Sequence, residues 1–168
     1  KADGCNVIGI DRSTEKVKLG NELGIKCVQS FSDLQSLVNK DTLSMGADKV
    51  LITASTNSNQ LLHEADTISR KRGKIVLVGV IGREFNRSDF YEKELEFQVS
   101  CSYGAGRYDK LYEEQAIDYP YAYVRWTEKR NFNTILRLLG NKSISVDKML
   151  SSSVELSNAG NIYDKILN

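Results

Sequence analysis

The chain has 168 residues, 40% of them hydrophobic and 27% charged, which suits one sizeable core in an ordinary soluble protein. Lys and Arg number 23 against 22 Asp and Glu, a net charge of +1, so no global field recruits nucleic acid or an anionic membrane. The longest apolar runs are strand-length, far short of the ~20 residues of a membrane-spanning helix, and Lys1-Ala2-Asp3-Gly4 opens no signal peptide, so the expected location is cytoplasmic.

The first element is an apolar run, Asn6 to Ile10, that stops at Asp11. Ser13 follows as a helix N-cap, Val17, Gly20 and Leu23 share one helix face, Gly24 is a stop, and Cys27-Val28 begins the next strand. In a doubly wound nucleotide-binding sheet, an acid at the carboxyl end of the second strand accepts hydrogen bonds from both hydroxyls of the adenosine ribose, which is the chemistry expected of Asp11. The blander reading of Asp11 is a strand-ending acid in a turn. A first strand and a glycine-rich turn normally precede this unit, and neither is written before it here. Without that central strand, the Asn6 and Lys49 strands each lose a partner; re-pairing, an exchanged segment or a dimer would close the hole.

Further strands are expected at Lys26 to Gln29, Lys49 to Thr53, Lys74 to Val80 and Glu96 to Cys101, with helices near Ser32 to Val38 and Ser58 to Ser69. The runs do not alternate apolar with polar, as expected for parallel strands covered on both faces. The predicted class is therefore α/β, a Rossmann-like doubly wound parallel sheet lacking its first strand. In the helix after Ser58, Leu61, Ala65 and Ile68 form the inward stripe, and Arg70-Lys71-Arg72 complements the helix dipole with Gly73 as a left-handed cap. His63, the only histidine, lies off that stripe as a surface residue. Cys5, Cys27 and Cys101 read as reduced, buried thiols without zinc spacing, so no metal ligand set is expected in this chain.

From Gly82 the text turns polar, with Phe85 and Phe90 embedded, and after the Glu96 strand comes a loop rich in glycine and aromatics, Ser102 to Asp109. Its Gly104-Ala105-Gly106 is not a dinucleotide fingerprint, because Asp109 stands where the third glycine belongs. Tyr103, Arg107 and Tyr108 are the candidates for substrate or catalytic contact. A phenol of lowered pKa relays a proton, and a guanidinium holds a carboxylate or phosphate; packing against a neighbouring subunit is the alternative. Thr127 is the expected N-cap of a helix using Phe132, Ile135, Leu136 and Leu139 and closed by Gly140, and a last helix is expected over Leu156 to Leu167.

The runs Gly4 to Asp11, Lys71 to Gly79 and Lys93 to Phe97 resemble the coenzyme domain of the medium-chain, zinc-type alcohol dehydrogenase superfamily. Phe90 to Gly104, Gly106 to Asp109 and Tyr123 to Glu128 resemble, more narrowly, a bacterial branch often fused to a glucose-fructose oxidoreductase-type half in surface-polysaccharide synthesis. The resemblance implies residues 1–168 as one NAD(P)-binding domain, a fragment of a longer oxidoreductase that acts on an alcohol or carbonyl, such as that of a sugar. Zinc would come only from a domain outside this chain, so the fragment alone is expected to be inactive.

The Asp11 carboxylate repels a 2′-phosphate and favours NAD, whereas Arg12 can pair with one and keeps NADP open. Thr53, Ala54 and Ser55 are expected on the ribose and diphosphate side, with Gly79 and Val80 near the nicotinamide. The expected partners are a dinucleotide and a small-molecule substrate, with no nucleic acid or membrane, and a homodimer through the Glu96 to Cys101 edge strand. Two other classes fit the same text: a non-catalytic nucleotide-binding module and an S-adenosylmethionine-dependent methyltransferase.

Overall fold

The computed structural model describes residues 1–82, 84–150 and 152–167. In chain order the elements are β1 (Ile8–Ile10), α1 (Thr14–Glu22), β2 (Lys26–Val28), α2 (Phe31–Asp41), β3 (Ala47–Ile52), α3 (Gln60–Ile68), β4 (Ser69–Leu77), α4 (Ser88–Tyr91), β5 (Glu96–Val99), α5 (Lys110–Glu113), α6 (Glu128–Gly140) and α7 (Ala159–Leu167). Each expected helix and strand forms, most with ends moved by a few residues. Of the polar segment from Gly82 to Tyr91, residue 83 lies outside the described residues.

All strand pairs are parallel, as the helix-length crossovers require. They form a two-stranded sheet, β1-β2, and a three-stranded sheet, β3-β4-β5. Set against the usual order 3-2-1-4-5-6, these strands take positions 3-2 and 4-5-6. Among the described residues β1 and β3 do not pair with each other, so re-pairing does not close the expected hole. Apolar packing still joins the two sheets: Leu34 and Val38 of α2 and Ile68 of α3 form one cluster with Ile8 and Val28 on one side and Ala47 and Val50 on the other.

The main core lies where α3 crosses β3-β4-β5. Leu62 and Ala65 pack with Ile52, Ile75, Leu77 and Ile81, flanked by Val50, Phe90 and Phe97. Leu62, one position from the expected Leu61, is the more deeply buried of the two. Among the described residues, α2 and α3 both pack on the Val50 side of this sheet, and Leu51 on the other face is 65% exposed. The α6 helix departs from expectation. Leu138 is its buried residue, while Phe132, Ile135 and Leu136 are exposed. The thiols are free as expected but not buried, since Cys5 and Cys101 are exposed and Cys27 is half-buried beneath Gly9 and Gly20. No described helix is long and apolar enough to cross a membrane.

The basic run after α3 does not cap the helix. Ser69 Oγ donates to Ala65 O at 2.6 Å, and Lys93 Nζ donates to Asp66 O at 2.5 Å and Thr67 O at 3.2 Å, so the last carbonyls are already satisfied. The chain enters β4 directly, and the register jumps from Ala47↔Ser69 to Lys49↔Lys74, which makes Arg70 to Gly73 a bulge. Arg72, not Gly73, takes the left-handed conformation there, at φ 57°, with its N–H bonded to Lys93 O at 2.7 Å.

Ile75 is 0% exposed and sits between Val50 and Phe97 in the sheet. Ile75→Ala is expected to destabilise the chain by about 2–5 kcal/mol and Ile75→Val by about 0.5–1.5 kcal/mol in urea unfolding. Leu156→Ala, at a position 92% exposed, is expected to stay within about 0.5 kcal/mol.

Candidate functional site

Asp11 stands immediately past the carboxyl end of β1, where the strand hands over to α1. Its backbone N–H extends the ladder to Val28 O at 3.3 Å. One carboxylate oxygen accepts from Ser13 N at 2.9 Å, and Ser13 Oγ in turn accepts from Lys16 N at 3.4 Å as the N-cap of α1. The other oxygen lies 3.6 Å from Lys16 Nζ on a side chain 40% exposed. Asp11 therefore serves the turn with one oxygen, while the second pairs with the exposed Lys16 ammonium on a partly exposed side chain. Arg12 is exposed, and its carbonyl accepts from Gln29 Nε2 at 2.7 Å, which ties the turn to the end of β2.

Lys16 escaped the sequence reading. The signal was present: an N-cap at Ser13 places residue 16 in the first helical turn, within reach of a side chain at position 11.

Thr53, Ala54 and Ser55 meet Gly79 and Val80 past the carboxyl ends of β3 and β4. Gly79 N donates to Ile52 O at 3.0 Å, Val80 N to Ala54 O at 3.2 Å and Thr56 N to Val80 O at 2.8 Å, and Ser55 bridges Val80 in parallel. A Cβ on residue 79 would lie 2.0 Å from Ala54 O, so this approach admits only glycine. The five predicted residues thus share one backbone junction. Thr53, Ala54, Ser55 and Val80 are exposed, leaving their outer side available to a ligand.

Tyr103, Arg107 and Tyr108 are also brought together, by a carboxylate the sequence reading did not select. Glu113 of α5 accepts from Tyr103 OH and from Arg107 Nη1, the latter at 2.5 Å, and the Arg107 guanidinium lies 4.3 Å above the Tyr108 ring. A Cβ on Gly106, at φ 99°, would meet the Tyr112 ring at 2.4 Å, so the loop wraps closely over that ring. Tyr112 stacks on Tyr119, whose hydroxyl donates to Asp109, the N-cap of α5.

The electrostatics follow from these contacts. Glu113 is pulled below the ordinary carboxylate range by the Tyr103 hydroxyl and then by Arg107. The same carboxylate pushes Tyr103 above the ordinary phenol range and holds Arg107 charged. Tyr119 lowers Asp109 and is itself raised by it.

The Asp11 turn, the Gly79 junction and the Tyr103 loop make no hydrogen bond to one another among the described residues. An open cleft of ≈ 350 Å³, lined by Tyr112, Ala116, Asp118, Glu128, Lys129 and Phe132, includes none of the predicted site residues.

Sequence comparison with curated proteins finds no match. Among solved structures, the chain is similar to 2R,3R-butanediol dehydrogenase from Bacillus subtilis, at 21% identity and a TM-score of 0.61, over 88% of this chain and 36% of that one. Benzyl alcohol dehydrogenase from Acinetobacter calcoaceticus is similar at 16% identity and a TM-score of 0.65, over 96% of this chain and 41% of that one. A short chain alcohol dehydrogenase from E. coli, complexed with the cofactor NADH, is similar at 17% identity and a TM-score of 0.64, over 96% and 41% of the two chains.

The chain thus spans 36% to 41% of the length of these structures, and at such identities the likeness is one of fold. A family model described as zinc-binding dehydrogenase matches residues 1–118, from the Asp11 turn through the Tyr103 loop to α5. With well over half of its residues in that match and its strands in the corresponding parallel order, the chain belongs to the zinc-binding dehydrogenase family.

Proposed function

We propose that this chain is the dinucleotide-binding part of a longer NAD(P)-dependent oxidoreductase acting on an alcohol or carbonyl group. The observation that carries the reading is Asp11, at the carboxyl end of a parallel strand and partly exposed, with one carboxylate oxygen held only by the Lys16 ammonium at 3.6 Å. Two ribose hydroxyls can donate to that carboxylate, and the exposed edge at Thr53 to Ser55 and Gly79-Val80 offers backbone and hydroxyl groups along the rest of a dinucleotide. A bound nicotinamide supplies the hydride acceptor or donor. This chain's own residues bind and orient it. The negative charge at Asp11 disfavours a 2′-phosphate, and NAD is the proposed cofactor; Lys16, 3.6 Å away, moderates that preference, and the neighbouring Arg12 keeps NADP open.

Zinc of the catalytic kind does not fit the thiols of this chain. Cys5, Cys27 and Cys101 are free and share no ligand group among the described residues; a catalytic zinc held by another domain is what the family resemblance implies. The resemblance of the Phe90 to Trp126 run to a bacterial branch supports a sugar alcohol or sugar carbonyl as substrate.

In the Tyr103 loop, the raised Tyr103 keeps its proton, the opposite of what a proton relay needs, so its proposed role is hydrogen-bond donation. Arg107, held charged and stacked on Tyr108, is the proposed holder of a carboxylate or phosphate on the substrate. A dimer is proposed across β5, the outer strand of its sheet. Ser100 N–H donates to Leu77 O, so ladder alternation turns the Val99 N–H outward, free for a partner strand.

Calorimetry is the primary test, on this chain and on a version extended upstream. NADH is expected to bind the extended version, and Asp11→Asn to weaken it roughly tenfold, the scale of one lost charged hydrogen bond. Unchanged affinity in that variant, or preference for S-adenosylmethionine, refutes the reading; binding without turnover by a full-length protein favours a regulatory module.

The acid response of the loop is a second test. Glu113 is lowered on folding, so its contribution is complete above its unfolded pKa and is lost as pH falls through the lower folded value. Near-UV circular dichroism of the tyrosines is expected to persist through the ordinary carboxylate range and fade below it, and Glu113→Gln to remove the Tyr103 share of that transition while the Asp109–Tyr119 share remains. For assembly, light scattering is expected to give twice the 18.9 kDa of one chain, and Val99→Pro to halve it.

A further inference from the structure

His63 is exposed, as expected of a residue off the α3 stripe, yet it is not isolated. His63 and Asp66 stand three residues apart on one face of α3, and Asp89 reaches the same place from α4. The ligand atoms of the three all lie within 4.8 Å of one another, with His63 Nδ1 and Asp89 Oδ1 at 3.3 Å. Ligands about 2.0–2.1 Å from a tetrahedral ion are separated from each other by roughly 3.3–3.4 Å, so the His63–Asp89 edge already has the spacing a zinc ion imposes.

A second observation is independent of that spacing. The Asp89 side chain is only 10% exposed, and its sole partner among the described residues is the His63 ring, 60% exposed. One long contact to an imidazole leaves acceptor capacity of this carboxylate unused. Lys93 does not fill it. Its ammonium is spent on the Asp66 and Thr67 carbonyls at the end of α3 and lies 3.5 Å from one Asp66 oxygen, which leaves Asp66 a second oxygen.

We infer that His63, Asp66 and Asp89 form a binding site for one divalent transition-metal ion of the zinc class, three protein ligands with the fourth position open to water on the exposed His63 side. One imidazole with two carboxylates is a donor set suited to zinc. The ion would pin α3 to α4, the segment leading into β5, and touches none of the residues proposed for the dinucleotide. The inference is therefore independent of the proposed function, and it differs from a catalytic zinc held in another domain.

The test uses the tag-free, chelator-treated full chain, titrated with zinc by calorimetry and with cobalt by visible absorption. One equivalent is expected to bind and to raise Tm, with d–d bands and no thiolate charge-transfer band. His63→Ala and Asp89→Asn are each expected to weaken binding by at least about tenfold, since the loss of outer-shell partners alone costs that much. His63 is exposed, so its replacement spares the fold even if that of Asp89 does not. No binding, equal affinity in the His63→Ala chain, or a thiolate band from the free cysteines overturns the inference.

Discussion

β4 is hydrogen-bonded on both sides, to β3 and β5, and its position is set by the burial of one side chain and the absence of another. Ile75 anchors the strand beneath α3, and Gly79 lets the backbone close onto the Ala54 carbonyl. A displaced Ile75 would loosen the core that holds α3, while a Cβ at 79 would force the carboxyl ends of β3 and β4 apart. Those ends carry Thr53, Ala54, Ser55 and Val80. The candidate cofactor edge thus inherits its geometry from apolar packing well inside the sheet.

Charges are distributed in a complementary way. Asp11 divides its carboxylate between the α1 turn and the Lys16 ammonium, so the group that could read a ribose is also the one that orients the helix. Glu113 gathers Tyr103 and Arg107 in the same economical manner, and Asp109 joins the α5 N-terminus to Tyr119. In each case a carboxylate at a turn or helix end accepts from backbone or loop donors. Most of these groups are partly exposed, so they order local loops more than they stabilise the whole.

The open features are structural counterparts of that economy. Among the described residues β1 and β3 each have a partner on one side only, Leu51 is exposed, and α6 turns Phe132, Ile135 and Leu136 outward. Apolar surface of this kind is expected where further chain or a second copy packs in a larger assembly. The cluster of α2 with residues of both sheets shows that the two sheets keep a common core despite the missing backbone pairing.

The alternation of helix and strand, the parallel class and the Asp11 turn were legible in the residues alone, because hydrophobic period, caps and strand-ending acids are local signals. The Thr53 to Ser55 and Gly79-Val80 positions followed from strand ends in the same way. Local text could not assign the Arg70 to Gly73 bulge, where Lys93, distant in sequence, had already taken the α3 carbonyls that a basic cap would need. Nor could it pair His63 with Asp89 or Tyr103 with Glu113, since such meetings depend on how helices pack and loops return. Strand period also cannot say whether the far face of a sheet is covered: Leu51 is apolar in either case, and only the positions of α2 and α3 decide that it faces solvent. The sequence determined the elements and the chemistry at their ends, while tertiary packing decided which distant side chains meet, because burial and register are properties of the assembled chain.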